Sequence, residues 1–138
     1  MKLLTEKNSK SLVYISLIIY WIILISATSI PADSVPTTGV SDKIEHFLAY
    51  FILTILLAST LIMQNKFSNL KKHYLLSTLI IGIVYGAIDE LHQLIVPGRS
   101  CELLDWLSDV GGVMLGIIFV KALLVKFLLI YSDSRNLS

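Results

Sequence analysis

Four long apolar runs, separated by short polar segments, dominate this sequence and leave few folds open to it. At about 1.5 Å per residue, the 19 residues of the first run span close to the roughly 30 Å hydrocarbon core of a bilayer as a helix. The runs are Leu12–Ile30, Ile44–Met63, a third that begins with Tyr74–Ile88, and Leu103–Ile130. Because lipid cannot satisfy backbone polar groups, such runs predict helices. We therefore expect an all-α, polytopic membrane protein with four transmembrane helices.

Composition supports this class and excludes others. Hydrophobic residues make up 55% of the chain and charged residues only 15%, whereas a soluble domain carries about 25% charged residues. The net charge is +1 and the lysines and arginines are dispersed, so no nucleic acid partner is expected. A single cysteine, Cys101, excludes an internal disulfide and any multi-cysteine metal site.

Polar and helix-breaking residues mark the ends of the runs. We expect residues 1–11 to form a cytoplasmic N-terminal segment, residues 12–130 one four-helix membrane domain, and residues 131–138 a short, disordered cytoplasmic tail. A cleaved signal peptide is the competing interpretation of the first run, because its start is basic and small residues follow it. Against this, its apolar core would exceed the usual roughly 7–15 residues.

The loops carry their own signals. Pro31 and Pro36 should end the first helix, and Pro97 with the following glycine should end the third. Ser41 is a plausible N-cap for the second helix. Gln64–His73 should be a polar turn.

Lysine and arginine counts predict the orientation. Three lysines precede the first run, three lie in the second loop, and two lysines and one arginine lie near the C-terminus. The first loop contains only Lys43 and the third only Arg99. The positive-inside rule therefore predicts that both termini and the second loop are cytoplasmic. It follows that the polar residues of the first and third loops face the outer side.

Two clusters of ionisable residues should meet at that outer side. One opens the second span and the other bridges the third and fourth spans. Charged groups beside a bilayer are costly unless they are paired, hydrated or used, so the clusters are a functional-site hypothesis. The candidate residues are Asp42, Lys43, His46, Glu90, Gln93, Arg99, Asp105 and Asp109. The alternative is structural: Arg99 neutralises Asp105 or Glu90, and Asp42 caps a helix.

Glycines share helical faces with the acids. Gly82, Gly86, Glu90 and Gln93 lie on one face of the third span, and Asp105, Asp109, Gly112 and Gly116 lie on one face of the fourth. Small residues at such spacing let membrane helices approach closely. We therefore expect the third and fourth spans to pack through these faces. Glu90 should point inward and Asp89 toward the lipid headgroups.

The inventory of side chains limits the chemistry. Glu90, Asp105 and Asp109 could serve in acid–base work beside the His46 imidazole. Arg99 and Lys43 suit phosphate or carboxylate. Carboxylates with a histidine could hold a divalent cation, but no spacing matches a known metal signature, so the sequence predicts no metal site and gives a cation only weak support. No other cofactor is evident, and a serine hydrolase elbow and a glycine-rich nucleotide loop are both absent.

At these residues the chain resembles the VanZ-like family of small bacterial membrane proteins, whose namesake is associated with teicoplanin resistance. The matching patterns, over roughly residues 40 to 120, are Asp42-Lys43-x-x-His46-Phe47-x-x-Tyr50, then Tyr85-Gly86-x-x-x-Glu90-x-x-Gln93-x-x-x-Pro97-x-Arg99, then Asp105 and Gly112-x-x-x-Gly116. They add Tyr50 to the candidate site. Asp109 departs from the pattern, because many relatives are expected to carry asparagine there.

The resemblance implies a multi-pass protein of the bacterial cell membrane that could lower susceptibility to teicoplanin-type glycopeptides. Two classes of function stay open. The protein could be a non-enzymatic factor whose outer site binds a lipid headgroup, a lipid-linked cell-wall precursor or the antibiotic. Alternatively, it could be a membrane hydrolase or transferase acting on a phosphate-bearing lipid, with Arg99 and Lys43 on the phosphate and Glu90 or His46 as acid or base.

Overall fold

The computed structural model describes residues 2–35 and 39–136, and its side chains are described over 8–35 and 39–127. Of the described residues, 82% are helical and none lies in a strand. The helices are α1 (Lys2–Thr28), α2 (Asp42–Met63), the short α3 (Ser68–Lys72), α4 (Tyr74–Gln93) and α5 (Leu103–Asn136), with a 3-10 turn at Ala32–Ser34. Helices α1, α2, α4 and α5 are long and apolar enough to cross a membrane. The predicted all-α architecture with four membrane-spanning helices is confirmed.

Several helix ends differ from the predicted ones. Helix α5 continues to Asn136, so the prediction of a disordered tail from residue 131 is wrong over 131–136. Backbone hydrogen bonds alone can extend a helix beyond its apolar run. Ser41 occupies the N-cap position of α2, but its hydroxyl makes no capping hydrogen bond. Pro36 and residues 137–138 lie outside the described residues.

The outward faces of the long helices are apolar, and polar side chains lie inside. Ile15, Ile18 and Ile22 of α1 are each more than half exposed. The buried polar residues are His46, Thr54, Thr78, Asp89, Glu90, Gln93, Asp105 and Asp109. A soluble protein would expose these polar groups and cover the isoleucines. This distribution instead suits a bundle whose outer surface contacts lipid.

Helix α2 lies at the centre of the bundle, packed most extensively against α5 and also against α1 and α4. Its Tyr50, Leu53 and Leu57 are buried in the core. The Tyr20 hydroxyl of α1 donates a hydrogen bond of 2.9 Å to the Ala49 carbonyl. Helix α2 therefore holds one face toward each of the other three spans.

The glycines of α4 face α5, as expected. A Cβ on Gly82 would lie 2.8 Å from a methyl carbon of Val113, and one on Gly86 would lie 3.1 Å from Asp109 Oδ2. The nearby Trp106 indole donates a hydrogen bond of 3.2 Å to the Ile83 carbonyl. These contacts bring the N-terminal half of α5 close to the α4 backbone.

The glycines of α5 face α2, and the expectation that they face α4 is wrong. A Cβ on Gly112 would clash with the Phe47 carbonyl oxygen, and one on Gly116 would lie 2.6 Å from Thr54 Cγ2. A glycine face permits close approach, but its neighbour depends on how all the helices are arranged. Here the closest helix pair is α2 with α5.

The connection that follows α1 and the connection that follows α4 lie at the same end of the bundle and contact each other. The Ala32 N–H donates to the Pro97 carbonyl over 3.1 Å, beside Gly98, whose φ of +75° favours glycine. This end is formed by the C-termini of α1 and α4 and the N-termini of α2 and α5. We call it the polar end, because it carries the ionisable residues described next.

Candidate functional site

Four carboxylates are buried at the polar end. Asp89 and Glu90 lie in the last turns of α4, and Asp105 and Asp109 lie in the first turns of α5; none of the four is more than 4% exposed. Acidic residues are rarely buried without partners because desolvation of a charge is costly. Their partners therefore define the site.

His46 is the imidazole that joins these acids. Its Nδ1 lies 2.9 Å from Asp109 Oδ1 and 3.8 Å from Glu90 Oε1, whereas its Nε2 lies 4.0 Å from Asp42 Oδ1. His46 is itself only 8% exposed. One imidazole on α2 thus faces carboxylates from α4 and α5.

Lys43 binds a second pair of acids nearer the surface. Its ammonium donates to Asp105 Oδ1 over 3.0 Å and to Glu102 Oε2 over 3.1 Å. The hydrogen bond from Lys43 lowers the pKa of the exposed Glu102 carboxyl, so this group stays ionised near neutral pH. Lys43 therefore neutralises acids at the start of α5.

Glu90 connects the end of α4 to the start of α5. Its Oε2 accepts a hydrogen bond of 2.8 Å from the Glu102 N–H, and the Glu102 carbonyl accepts from Asp105 and Trp106 in the first turn of α5. The other oxygen, Oε1, is buried and has no hydrogen-bond partner among the described residues. Glu90 thus uses one oxygen to organise the backbone and turns the other toward His46.

Asp89 is buried, and the expectation that it points toward headgroups is wrong. Its Oδ2 lies 3.4 Å from the Tyr50 hydroxyl, which donates to it. Adjacent residues on a helix differ by about 100° in direction, and α4 packs against both α5 and α2. Glu90 consequently faces the side of α5, whereas Asp89 faces α2.

Arg99 interacts with backbone carbonyls. Its Nε donates to the Ile30 carbonyl over 3.3 Å and its guanidinium to the Ala27 carbonyl over 3.4 Å. The alternative in which Arg99 neutralises Asp105 is wrong, because Lys43 makes that contact. Gln93 is 3% exposed, and its Nε2 makes no hydrogen bond within the part of the chain that the structure describes.

A cavity of about 100 Å³ opens between α1, α2 and α4 at the polar end. Its lining includes both apolar and charged side chains. The lining residues are Leu24, Ala27, Thr28, Asp42, Glu45, His46, Ala49, Tyr50, Asp89 and Arg99. The cavity therefore joins both predicted clusters, although Asp105 and Asp109 lie outside its lining.

Among the side chains that the structure describes, two groups have donor atoms close enough together to hold a metal ion. One contains His46, Glu90 and Asp109, and the other contains Asp42, His46 and Asp105; within each group all donor atoms lie within 4.8 Å of one another. The first group is buried throughout, whereas Asp42 in the second is exposed. Imidazole nitrogen with carboxylate oxygens suits divalent transition metals.

Sequence reasoning left three acidic residues out of the candidate set. Asp89 and Glu45 line the cavity, and Glu102 contacts both Lys43 and Glu90. The sequence did contain a signal for Asp89. Asp89 lies four residues after Tyr85, a residue of the family pattern, and therefore shares its helical face. Glu102 offered no comparable signal, since its role depends on the fold of the loop before α5.

The fold and this end of the bundle define an α-helical, multi-pass membrane protein with ionisable groups buried at one end. Comparison with protein families gives the narrower assignment: the family model described as VanZ/LLP1 matches residues 9–126. The chain belongs to the VanZ/LLP1 family. Searches among individual curated proteins and among solved structures returned no match.

Proposed function

We propose that this protein acts in the bacterial cell membrane as a non-catalytic factor that binds the headgroup of a membrane amphiphile at its outer surface. In doing so it lowers susceptibility to teicoplanin-type glycopeptides. The observation that carries the proposal is the charged cavity of about 100 Å³ at the polar end of a bundle that is apolar outside. Ionisable groups at such a position mark ligand sites in membrane proteins.

The charges of the lining specify the chemistry of the ligand. Asp42 and Asp89 contribute two carboxylates, whereas Arg99 contributes one guanidinium, which donates hydrogen bonds to backbone carbonyls. The excess of acids favours a cationic group inside the cavity, and Arg99 at its edge suits an adjoining phosphate. An ammonium joined to a phosphate is therefore the expected ligand, as in the headgroup of phosphatidylethanolamine.

The size of the cavity agrees with this chemistry. A cavity volume of about 10–15 Å³ is enough to hold one water molecule, so the cavity of about 100 Å³ has room for an ammonium group and its neighbouring carbons. A whole glycopeptide is far larger than this volume. The antibiotic could therefore contact the opening but could not enter, which favours a lipid headgroup or a lipid-linked cell-wall precursor.

The outward position of the site is part of the proposal. Lys66, Lys71 and Lys72 lie in the connection between α2 and α4, at the opposite end of the bundle from the polar end. The positive-inside rule assigns that connection to the cytoplasm. The cavity would then open toward the outer leaflet, where glycopeptides act on cell-wall precursors.

The first test measures teicoplanin susceptibility of a sensitive bacterial host that expresses the wild type, Asp89→Asn or Arg99→Ala. Asp33→Asn and Lys72→Ala are matched controls, because both residues are exposed and lie outside the cavity. We expect the wild type and controls to protect, and the two cavity variants to lose protection at equal membrane abundance. Protection that survives both cavity substitutions would contradict the proposal.

A binding measurement distinguishes the sources of the ligand. Purified protein in detergent is titrated with short-chain phosphatidylethanolamine, phosphatidylglycerol and phosphatidylcholine, with a lipid-linked cell-wall precursor, and with teicoplanin. We expect tight binding only to amphiphiles that carry a primary ammonium near phosphate, weakened at least 10-fold by Asp89→Asn. Equal binding of phosphatidylglycerol would exclude ammonium recognition, and binding of teicoplanin alone would exclude a lipid ligand.

An enzymatic function is the second candidate, favoured by the pair of His46 Nδ1 and Asp109 Oδ1 at 2.9 Å. A carboxylate that orients an imidazole is a common arrangement for a general base. The substrate would again be a phosphate-bearing lipid. Turnover of the bound lipid by the wild type, lost in His46→Gln while binding persists, would favour the enzyme over the binding factor.

A further inference from the structure

We propose that His46, Glu90 and Asp109 form a binding site for one divalent transition-metal ion, beside the headgroup cavity. This inference does not depend on the proposed function, because the three residues come together through helix packing alone. His46 is contributed by α2, Glu90 by α4 and Asp109 by α5. An ion at this point would join the three helices that surround it.

The separation of the donor atoms fits a metal centre. His46 Nδ1 lies 2.9 Å from Asp109 Oδ1 and 3.8 Å from Glu90 Oε1. Ligands about 2.0–2.2 Å from a common ion lie roughly 3–3.5 Å from one another. These two separations bracket that range, and all three donor atoms lie within 4.8 Å of one another, so side-chain rotations would bring them onto one ion.

An unpartnered oxygen is independent evidence for a ligand. Glu90 Oε1 is turned toward His46, and the Glu90 side chain is only 3% exposed. No described residue donates a hydrogen bond to this oxygen. A buried carboxylate oxygen without a partner is costly, and a metal bond at this position would remove that cost.

The charge balance points the same way. Lys43 is engaged by Asp105 and Glu102, which leaves Asp89, Glu90 and Asp109 around one imidazole. Three carboxylates with at most one positive charge are unfavourable in the interior of a membrane bundle. A divalent ion supplies the missing positive charge at the centre of the group.

The donor set indicates which ion is bound. Mg²⁺ and Ca²⁺ prefer oxygen ligands throughout, whereas one imidazole with two carboxylates suits Zn²⁺ or Mn²⁺. Coordination through Nδ1 leaves the proton of His46 on Nε2, the nitrogen that faces Asp42 at 4.0 Å. At 4.0 Å the Asp42 carboxylate is too far from Nε2 for a hydrogen bond, so the site does not rely on Asp42.

The overlapping group of Asp42, His46 and Asp105 is the weaker choice. Asp105 Oδ1 already accepts a hydrogen bond from Lys43, and the Asp42 side chain is 52% exposed. A cation there would have to displace an ammonium and compete with water. The two groups can be separated experimentally, because Glu90 and Asp109 belong only to the first.

The test measures metal in purified protein, in detergent and without added lipid or antibiotic. Protein stripped with a chelator is dialysed against Zn²⁺, Mn²⁺ or Mg²⁺, and bound metal is counted by mass spectrometry while affinity is measured by calorimetry. We expect one Zn²⁺ or Mn²⁺ per chain and little Mg²⁺. Glu90→Gln and Asp109→Asn should each weaken binding at least 10-fold, whereas Asp42→Asn and Glu102→Gln should change it much less.

Several outcomes would overturn the site. These are no bound Zn²⁺ or Mn²⁺ in the wild type, affinity unchanged by both ligand variants, or loss of binding in Asp42→Asn with Glu90→Gln unaffected. Electron spin-echo spectroscopy of the Mn²⁺-loaded wild type tests the site without any variant that might fail to fold. We expect coupling between the Mn²⁺ ion and an imidazole nitrogen. The absence of this coupling would also refute the proposal. Because no lipid or antibiotic is present, these results stand apart from the tests of headgroup binding.

Discussion

The close approach of α2 and α5 makes Gly112→Ala the most informative structural perturbation. A Cβ at this position would clash with the Phe47 carbonyl oxygen and lie 3.0 Å from the Phe51 backbone nitrogen. Both neighbours are backbone atoms of a helix, so neither can rotate away. The two helices must separate, and the separation acts close to the bond between His46 and Asp109.

The neighbouring Gly111 supplies a matched control that allows the magnitude to be worked out. A Cβ there would meet only ring atoms of Phe47, at 3.3 Å, and a ring can shift. Both substitutions gain about 1 kcal/mol in helix propensity, so this gain cancels in the comparison. Overpacking a well-packed interior costs about 1–3 kcal/mol, with the upper part of the range expected for contacts to backbone. Gly112→Ala should therefore be about 2–3 kcal/mol less stable than Gly111→Ala.

The assay is reversible unfolding in mixed micelles of mild detergent and dodecyl sulfate, followed by tryptophan fluorescence. Trp21, whose ring centroid lies 5.7 Å from that of Tyr85, and Trp106, whose indole is hydrogen-bonded to the α4 backbone, report on the bundle. The expected difference corresponds to a change of about 30- to 150-fold in the unfolding constant. Equal stabilities, or a more stable Gly112→Ala, would refute the conclusion that the α2–α5 contact depends on glycine at this position.

Three further predictions address the polar end. Lys43→Met should destabilise the protein measurably, because it leaves the buried Asp105 carboxylate unpaired. Glu102→Gln should have a much smaller effect, because Glu102 is exposed; unfolding titrations that rank these two variants equally would contradict the pairing. Trp106→Phe should lose about 1 kcal/mol with its hydrogen bond, and an unchanged unfolding midpoint would argue against that bond. The exposed Cys101 should react with a membrane-impermeant maleimide added to intact cells, and labelling only after lysis would reverse the predicted orientation.

The helices and the meeting of the two polar clusters followed from local properties of the sequence. Apolar length predicts a membrane-spanning helix because lipid leaves the backbone no other partner. Once four such helices are in place, connectivity alone brings Asp42 and Asp105 to the same end. The functional role of these residues stays a prediction.

Pairwise partners could not be predicted in the same way. The spacing of Gly112 and Gly116 identifies a face of α5, but whether that face meets α2 or α4 depends on the arrangement of the whole bundle. Asp89 was misassigned for a related reason, since α4 has two buried sides and only one carries glycines. The alternative in which Arg99 neutralises Asp105 was wrong, because that carboxylate is paired with Lys43 of the central helix α2.

The bonds between α2 and α5 also govern how the chain can be assembled. Lys43 and His46 find their carboxylate partners 62 and 63 residues later in the chain. At about 5–20 residues per second of synthesis, α2 exists for roughly 3–12 s before Asp105 and Asp109 are made. During that interval its ammonium and imidazole lack the acids that later neutralise them, so insertion of α2 relies on its apolar C-terminal part. The polar end is thus completed last, when α5 enters the membrane beside α2, which was synthesised earlier.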